Sequence, residues 1–294
     1  MKNDLYSGIE YMNSGHVGCP GCGGTIAMKL ALRALGEKTV LVIPASCWAI
    51  MSGNYPQSSL KVPVFNTGFA TTAAAASGLR AALDLRGDTE TTVVGWAGDG
   101  GTFDIGFQAL SAAAERGEDF IYVCYDNEAY MNTGVQRSSS TPWGARTMTT
   151  PGTNWKRTEK KNIVEIMAAH RIPYAATASI AYPEDLERKI KKAMSIRNGL
   201  RFIHIFSSCP TGWGMAPGNS VKVARMAVQS RAFPLYEVED GLKYTINEAG
   251  EKPVKDYLRS QSRFRHLSDE DIGVIQERLD IEYRRLVRRT LAEN

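Results

Sequence analysis

Residues 91–133 read TTVVGWAGDGGTFDIGFQALSAAAERGEDFIYVCYDNEAYMNT. Two apolar runs rich in β-branched and aromatic residues, 91–96 and 120–125, have the length and composition of buried strands. Between them, 104–116 carries alanine and larger apolar residues at helical spacing. A strand, a helix and a second strand in so short a span make a βαβ unit, whose two strands lie parallel in one sheet. Open sheets of this kind bind ligands beyond the carboxyl ends of their strands, where loops and helix N-termini meet. The residues at those ends are Gly98, Asp99, Gly100 and Gly101 after the first strand, and Asp126 and Asn127 after the second.

The same alternation continues in both directions. Residues 39–44 (TVLVIP) and 202–206 (FIHIF) read as two more buried strands, and 25–35, 71–85, 163–170 and 183–195 as helices. The expected fold class is therefore α/β, a mostly parallel sheet with helices on both faces. Cys47 follows the first of these strands and Cys209 the last, so chemically active side chains follow every apolar run. Residues 144–162, rich in Thr, Gly and Lys, read as a long loop of the kind that is functional or mobile in a compact domain. Ser268 and Asp271 resemble a capping box opening a helix with Ile272, Ile275, Leu279, Tyr283 and Leu286 along one side, a stripe read as core packing before partner binding. The expected division is a main domain over 1–230, carrying all the chemistry, and a C-terminal extension over 231–294 whose helix packs on that domain or on a partner subunit.

The chain has 294 residues, 43% of them hydrophobic, enough to bury a full core. Its 35 basic and 31 acidic residues are interspersed, leaving +4 with no basic stripe, which argues against a nucleic-acid partner. Residues 1–13 lack the charged flank and apolar core of a signal peptide, and no apolar run reaches the ~18 residues of a membrane span. A soluble cytoplasmic protein with no membrane partner is the expectation. Five cysteines, two in a C-x-x-C, then point to metal or redox chemistry before a disulfide framework.

A Gly-Asp-Gly triplet at a strand end is by itself an ordinary turn. The spacing gives it weight: one helix and one strand after Asp99 return the chain to Asn127, so both side chains stand at the same edge of neighbouring strands. A carboxylate and an amide oxygen there suit Mg²⁺, which takes octahedral oxygen ligands and shares them with phosphate and water. Gly98, Gly100 and Gly101 leave room for phosphates to approach the backbone, and the following helix N-terminus favours their charge. G-D-G with an Asn roughly thirty residues on is the thiamine diphosphate arrangement. The polar stretch 126–142 reads as a ligand loop, in which Asn132, Thr133 and Gln136 face phosphate or substrate or else satisfy loop backbone.

Cys19 and Cys22 flank Pro20-Gly21. A zinc knuckle wants a second pair of ligands and a thioredoxin-like dithiol wants a preceding strand, and neither context is present. With Cys47 and Cys209, three regions offer four thiolates, the number a 4Fe-4S cluster takes. Composition alone leaves cluster and no cluster equally open. Cys124, inside a strand, reads as a buried core residue.

These motifs together resemble the β subunit of pyruvate:ferredoxin oxidoreductase and its 2-oxoacid relatives, nearly end to end. The likeness runs through HVGCPGCG at 16–23, SC at 46–47, AGDGGTFDIG at 97–106, RGED at 116–119, YDNEAYMNTGVQRS at 125–138, AHRIPYAATA at 168–177 and CPTGW at 209–213. The resemblance implies a thiamine-diphosphate-binding fold and an oxidoreductase that decarboxylates a 2-oxoacid and passes electrons to ferredoxin. It implies that Cys19, Cys22, Cys47 and Cys209 ligate a 4Fe-4S cluster, and that Asp99, Asn127 and the carbonyl of Ala129 bind Mg²⁺. Met131, Asn132 and Thr133 match residues lying against the cofactor, with Asn132 the candidate catalytic side chain.

The same resemblance implies that the Glu activating the aminopyrimidine, and the substrate pocket, come from a separate α subunit. Further partners would be γ and ferredoxin-like δ subunits, separate or fused, an external ferredoxin, and coenzyme A as acyl acceptor. Pyruvate is the first substrate expected. The stretch 48–54 (WAIMSGN) departs from the pyruvate-type pattern, which has an acidic residue two positions after the cysteine, so oxalate, phenylglyoxylate and a branched-chain 2-oxoacid are alternatives. Two other classes stay open: a non-redox thiamine decarboxylase or carboligase would leave the cysteines unused, and an iron–sulfur electron-transfer protein would leave Asp99 and Asn127 unused.

Overall fold

The structure is a computed structural model that describes residues 10–54 and 56–291. The first nine residues of the polar N-terminal segment lie outside the described residues, as do Tyr55 and the last three. Among the described residues eight strands form one sheet: β1 (Thr39–Pro44), β2 (Val64–Thr67), β3 (Thr92–Gly98), β4 (Ile121–Asp126), β5 (Tyr174–Ser179), β6 (Arg201–Phe206), β7 (Leu235–Glu239) and β8 (Lys243–Glu248). Their order is β2-β1-β3-β4-β6-β5-β7-β8, parallel from β2 to β5 and antiparallel through β7 and β8.

Successive residues of a strand face opposite sides, and both sides here are apolar. Val94 and Trp96, Ile121, Val123 and Tyr125, and Ile203 and Ile205 face one core, covered by the helices Gly23–Leu35, Pro183–Ser195 and Ser220–Gln229. Val93 and Ala97, Tyr122 and Cys124, and Phe202 face the other, covered by Thr72–Leu85, Phe107–Glu115 and Ile163–Ala169. The α/β architecture with helices on both faces is thus the observed one. In the long helix Asp269–Leu291, Ile272 and Ile275 belong to the first core and Leu286 to the second. It opens on the expected capping box: Ser268 N donates to Asp271 Oδ2 (2.9 Å) and Asp271 N to Ser268 Oγ (3.0 Å). No helix of the described residues is long and apolar enough to cross a membrane.

Four strands were not apparent as apolar runs. Strand β2 is a short edge with Phe65 and Asn66 exposed, and β5 (YAATAS) is built of small residues. Strands β7 and β8 are antiparallel: β7 (LYEVE) is almost wholly buried yet carries two glutamates, and β8 (KYTINE) is the half-exposed edge, alternating polar with apolar residues.

Glu237 joins this edge to the parallel body. Its carboxylate accepts from Tyr174 on β5 (2.8 Å), Lys192 (2.9 Å) and Asn247 on β8 (2.9 Å), and pairs with Arg188 (2.7 Å). Burial alone would raise its pKa, but these donors outweigh burial and bring it down to about 2. A depressed carboxylate pKa contributes stability above the unfolded value, lost as pH falls toward the folded one. The Glu237 contribution should be full above about pH 5 and largely gone near pH 2. Denaturant midpoints of the chain and of Glu237→Gln should differ at pH 7 and converge by pH 2 to 3; a gap that stays constant with pH would refute this.

Candidate functional site

Register puts the site together. Gly98 pairs with Tyr125 across β3 and β4, so Asp99 and the 126–129 turn emerge side by side, with Ser207 and Cys209 beyond β6 next to them. Asp99 already has helical dihedrals and leads into a π-helical turn, Gly100–Ile105, before the regular helix. The helix expected from Asp104 therefore begins earlier, and its first amides open beside the Asp99 carboxylate. At Gly100 a Cβ would lie 2.4 Å from the Tyr130 ring, so glycine is required there to seat that aromatic as well as to expose backbone.

Asp99 and Asp126 are both fully buried. Asp126 is richly compensated: its Oδ2 accepts from Ser140 (2.6 Å), Lys160 (2.7 Å) and His204 (2.7 Å), and its Oδ1 from the amide of Glu128 (2.8 Å). Burial would raise its pKa, but Lys160 and His204 more than cancel that and hold it below the carboxylate range. Burial likewise works against the Lys160 ammonium, but Asp126 and Glu128 outweigh it and push the pKa up, whereas the His204 imidazole is lowered by burial despite Asp126.

Asp99 has no such relief. It accepts a hydrogen bond from Ser138 and forms no ion pair among the described residues, and burial followed by the neighbouring Asp126 charge raises its pKa well above the usual range. The carboxamide of Asn127 lies against this carboxylate: one terminal atom is 2.9 Å from the Ala129 carbonyl and 3.0 Å from Asp99 Oδ1. As nitrogen that atom donates to both. As oxygen it completes a group of three converging oxygens, stable only around a cation. Adjacent oxygens of an octahedral shell at 2.0–2.1 Å stand about 2.9 Å apart, which is the spacing found. The donor set fits a small divalent ion with open positions for phosphate.

Sequence reasoning passed over the triplet Ser138, Ser139 and Ser140. Their hydroxyls go to three different acids: Ser138 to Asp99, Ser139 to Asp104 and Ser140 to Asp126. It also missed His204, Glu128 and Arg263. Lys160 sits within the long loop 144–162, the one signal that pointed toward it. The side chains of Asn132 and Thr133 are exposed; the Thr133 hydroxyl donates to Gln136, and Gln136 Nε2 returns a bond to the Thr133 carbonyl (2.7 Å). Met131 packs on the Cys209 turn: a Cβ on Gly212 would fall 2.2 Å from its sulfur.

The cysteines converge from three segments. The Cys19–Cys22 turn lies on the 208–220 segment, through Gly23 N to Ser208 O (2.9 Å) and the Ser220 hydroxyl to Gly21 O. Cys209 caps Pro210–Trp213, its sulfur accepting from Gly212 N (3.3 Å). Burial, then Cys22, Cys209, Cys19 and Asp99, drive the Cys47 thiol up to about 12, and burial raises Cys22 and takes Cys209 to about 11. The charges of Cys22, Cys209 and Cys19 add to the rise at Cys47, which places the four thiols in one neighbourhood. Beside them the buried indole N–H of Trp48 has no acceptor among the described residues. Among those residues no three His, Cys, Asp or Glu side chains close on a single ion; a four-iron cluster is a larger body, each iron taking one thiolate. Cys124 faces the opposite core.

The family described as "Thiamine pyrophosphate enzyme, C-terminal TPP binding domain" matches residues 45–205, which run from the end of β1 into β6 and include the Asp99–Asn127 pair. The class is therefore that of the thiamine-diphosphate-binding domains. The chain is 50% identical over 289 residues to the ketoisovalerate oxidoreductase subunit VorB of Pyrococcus furiosus, covering 94% of this chain and 92% of the relative. It is 49% identical over 275 residues to the pyruvate synthase subunit PorB of Methanothermobacter marburgensis, covering 92% and 95%. A structure of 2-oxoglutarate:ferredoxin oxidoreductase from Magnetococcus marinus superposes with a TM-score of 0.59 at 25% identity, covering 73% of this chain and 79% of that one. This chain belongs to the family of thiamine-diphosphate-binding β subunits of 2-oxoacid:ferredoxin oxidoreductases.

Replacing Asp99 removes the buried carboxylate against which Asn127 and Ala129 converge. Asp99→Ala should lose cation-dependent binding of thiamine diphosphate, by at least a hundredfold in a titration followed by near-ultraviolet circular dichroism. Wild-type affinity in that variant would disprove the assignment.

Proposed function

We propose that this chain holds thiamine diphosphate through Mg²⁺ bound by Asp99, Asn127 and the Ala129 carbonyl, and holds a 4Fe-4S cluster on Cys19, Cys22, Cys47 and Cys209. With an α subunit it would decarboxylate a 2-oxoacid oxidatively and pass the electrons to ferredoxin. The observation that carries this reading is the three-oxygen convergence at Asn127 beside a buried carboxylate that lacks a counter-charge. The shared space of the four cysteine thiols supports its redox half.

When bound, thiamine diphosphate supplies the nucleophile and electron sink for decarboxylation, and the cluster a one-electron acceptor. The chain's own contribution is placement. Asp99 and the 127–129 turn fix the cation, the helix opening at Gly100 faces the phosphates, and Gly98 keeps that edge low. Asn132, exposed on the loop after β4, is the side chain proposed to meet substrate, with Met131 and Thr133 beside it. The glutamate that activates the aminopyrimidine would come from the α subunit, and γ and δ subunits and coenzyme A would complete the complex.

Pyruvate is the proposed substrate, in keeping with the relative named for pyruvate synthesis. A branched-chain 2-oxoacid is the second reading, favoured by relatives named for ketoisovalerate and by the exposed apolar Ile50 on the short helix Cys47–Met51.

Purified without oxygen, the complex should lose its iron–sulfur absorbance on addition of one 2-oxoacid among pyruvate, ketoisovalerate, oxalate and phenylglyoxylate, tested with and without coenzyme A. No bleaching by any of them, in a preparation containing thiamine and iron, would sink the proposed reaction. The ligand set has its own check. Cys209→Ala should reduce iron content and visible absorbance while Cys124→Ala leaves both unchanged, and the reverse pattern would refute it.

A further inference from the structure

The 127–129 turn is fastened by residues outside the proposed ligand set. Glu128, between Asn127 and Ala129, holds φ at +66°, a left-handed conformation that a non-glycine residue adopts at a cost. Its carboxylate lies between Lys160 (3.0 Å) and Arg263 (2.5 Å), both through charged contacts. The Arg263 guanidinium lies 4.0 Å from the centre of the Trp213 ring, and the indole N–H of Trp213 donates to the Asn127 carbonyl (2.8 Å). Asn127, Glu128, Arg263 and Trp213 therefore form a closed loop of contacts around the turn. Trp213 also belongs to the turn that Cys209 caps, its amide bonded to the Cys209 carbonyl (2.9 Å), and Ser262 next to Arg263 donates to the Gly214 carbonyl (2.7 Å).

We propose that Trp213 and Arg263 are positioning residues that hold the 127–129 turn in its cation-binding shape, and that through Trp213 the Cys209 turn and the cation turn behave as one rigid unit. The proposal rests on the reading of Asp99, Asn127 and Ala129 as cation ligands. Without Arg263, Glu128 loses one of its two cationic partners and Trp213 its stacked cover. The turn can then relax toward ordinary dihedrals, carrying Asn127 Oδ1 and Ala129 O apart. Groups that orient ligands from behind typically govern about 10- to 100-fold in metal affinity.

The test is Mn²⁺ affinity in the presence of thiamine diphosphate, read from the free-ion EPR signal, on the full chain in complex with its α subunit. Arg263→Met should weaken Mn²⁺ by about 10- to 100-fold. Arg263→Lys should recover part of that, keeping the charge toward Glu128 and losing the planar stack. Trp213→Phe should weaken it as well. Arg201→Met breaks another ion pair of a buried arginine, with the half-buried Asp119, at the opposite ends of the strands. It serves as a control for general destabilisation and should leave Mn²⁺ affinity within about twofold. Wild-type affinity in Arg263→Met, or an equal loss in Arg201→Met, would overturn the proposal. Asp99→Ala separates the two levels: undiminished Mn²⁺ binding there would mean the ligand reading itself is wrong.

Discussion

A buried carboxylate has to find positive charge or give up its own, and two of them stand next to each other at the carboxyl ends of β3 and β4. Leaving one such charge unpaired costs roughly 3–5 kcal/mol, a sizeable part of the stability of a whole domain. Asp126 is answered from inside the chain by Lys160 and His204. Asp99 is answered by a serine hydroxyl and an amide, neither of which carries charge. The asymmetry sets the two acids apart: Asp126 is anchored by charged partners of the chain, and Asp99 keeps neutral partners only.

The irregular segment between β4 and the helix Ile163–Ala169 follows from that need. It carries Ser138 to Asp99, Ser139 to Asp104 and Ser140 to Asp126, then returns as Lys156 donates to the carbonyls of Thr141 and Glu159 (3.2 Å to the latter) and Lys160 closes on Asp126. It is pinned at each end by buried polar contacts, which makes it part of the rigid site. The cysteines obey a related rule. Cys22, Cys47 and Cys209 pack against the first core, around Trp48, Trp96 and Tyr125, while Cys124 lies across the sheet in the second. Alternation along β4 decides this, since Tyr125 and Cys124 cannot share a face.

Much of this was legible in the chain read by itself. The runs at 39–44, 91–96, 120–125 and 202–206 correspond to β1, β3, β4 and β6, because central parallel strands are apolar on both faces and announce themselves. The Asp99 and Asn127 pair was legible because a βαβ unit carries its geometry within a short stretch. Strands β2, β5, β7 and β8 were not, since edge and small-residue strands owe their conformation to neighbours. The π-helical start at Gly100 was hidden for a similar reason: it depends on Phe69 and Tyr130 filling the space around the glycines.

The sequence by itself determined the alternation of strand and helix, the loops that must carry chemistry, and the residue types waiting in them, since these depend on near neighbours and on periodicity. Only the tertiary structure decided which charge neutralises which. Lys160 reaches Asp126 across 34 positions, His204 across 78, and Arg263 meets Glu128 across 135. Pairs so distant along the chain are chosen by the sheet that brings them together and by the cost of leaving any of them alone in a dry interior.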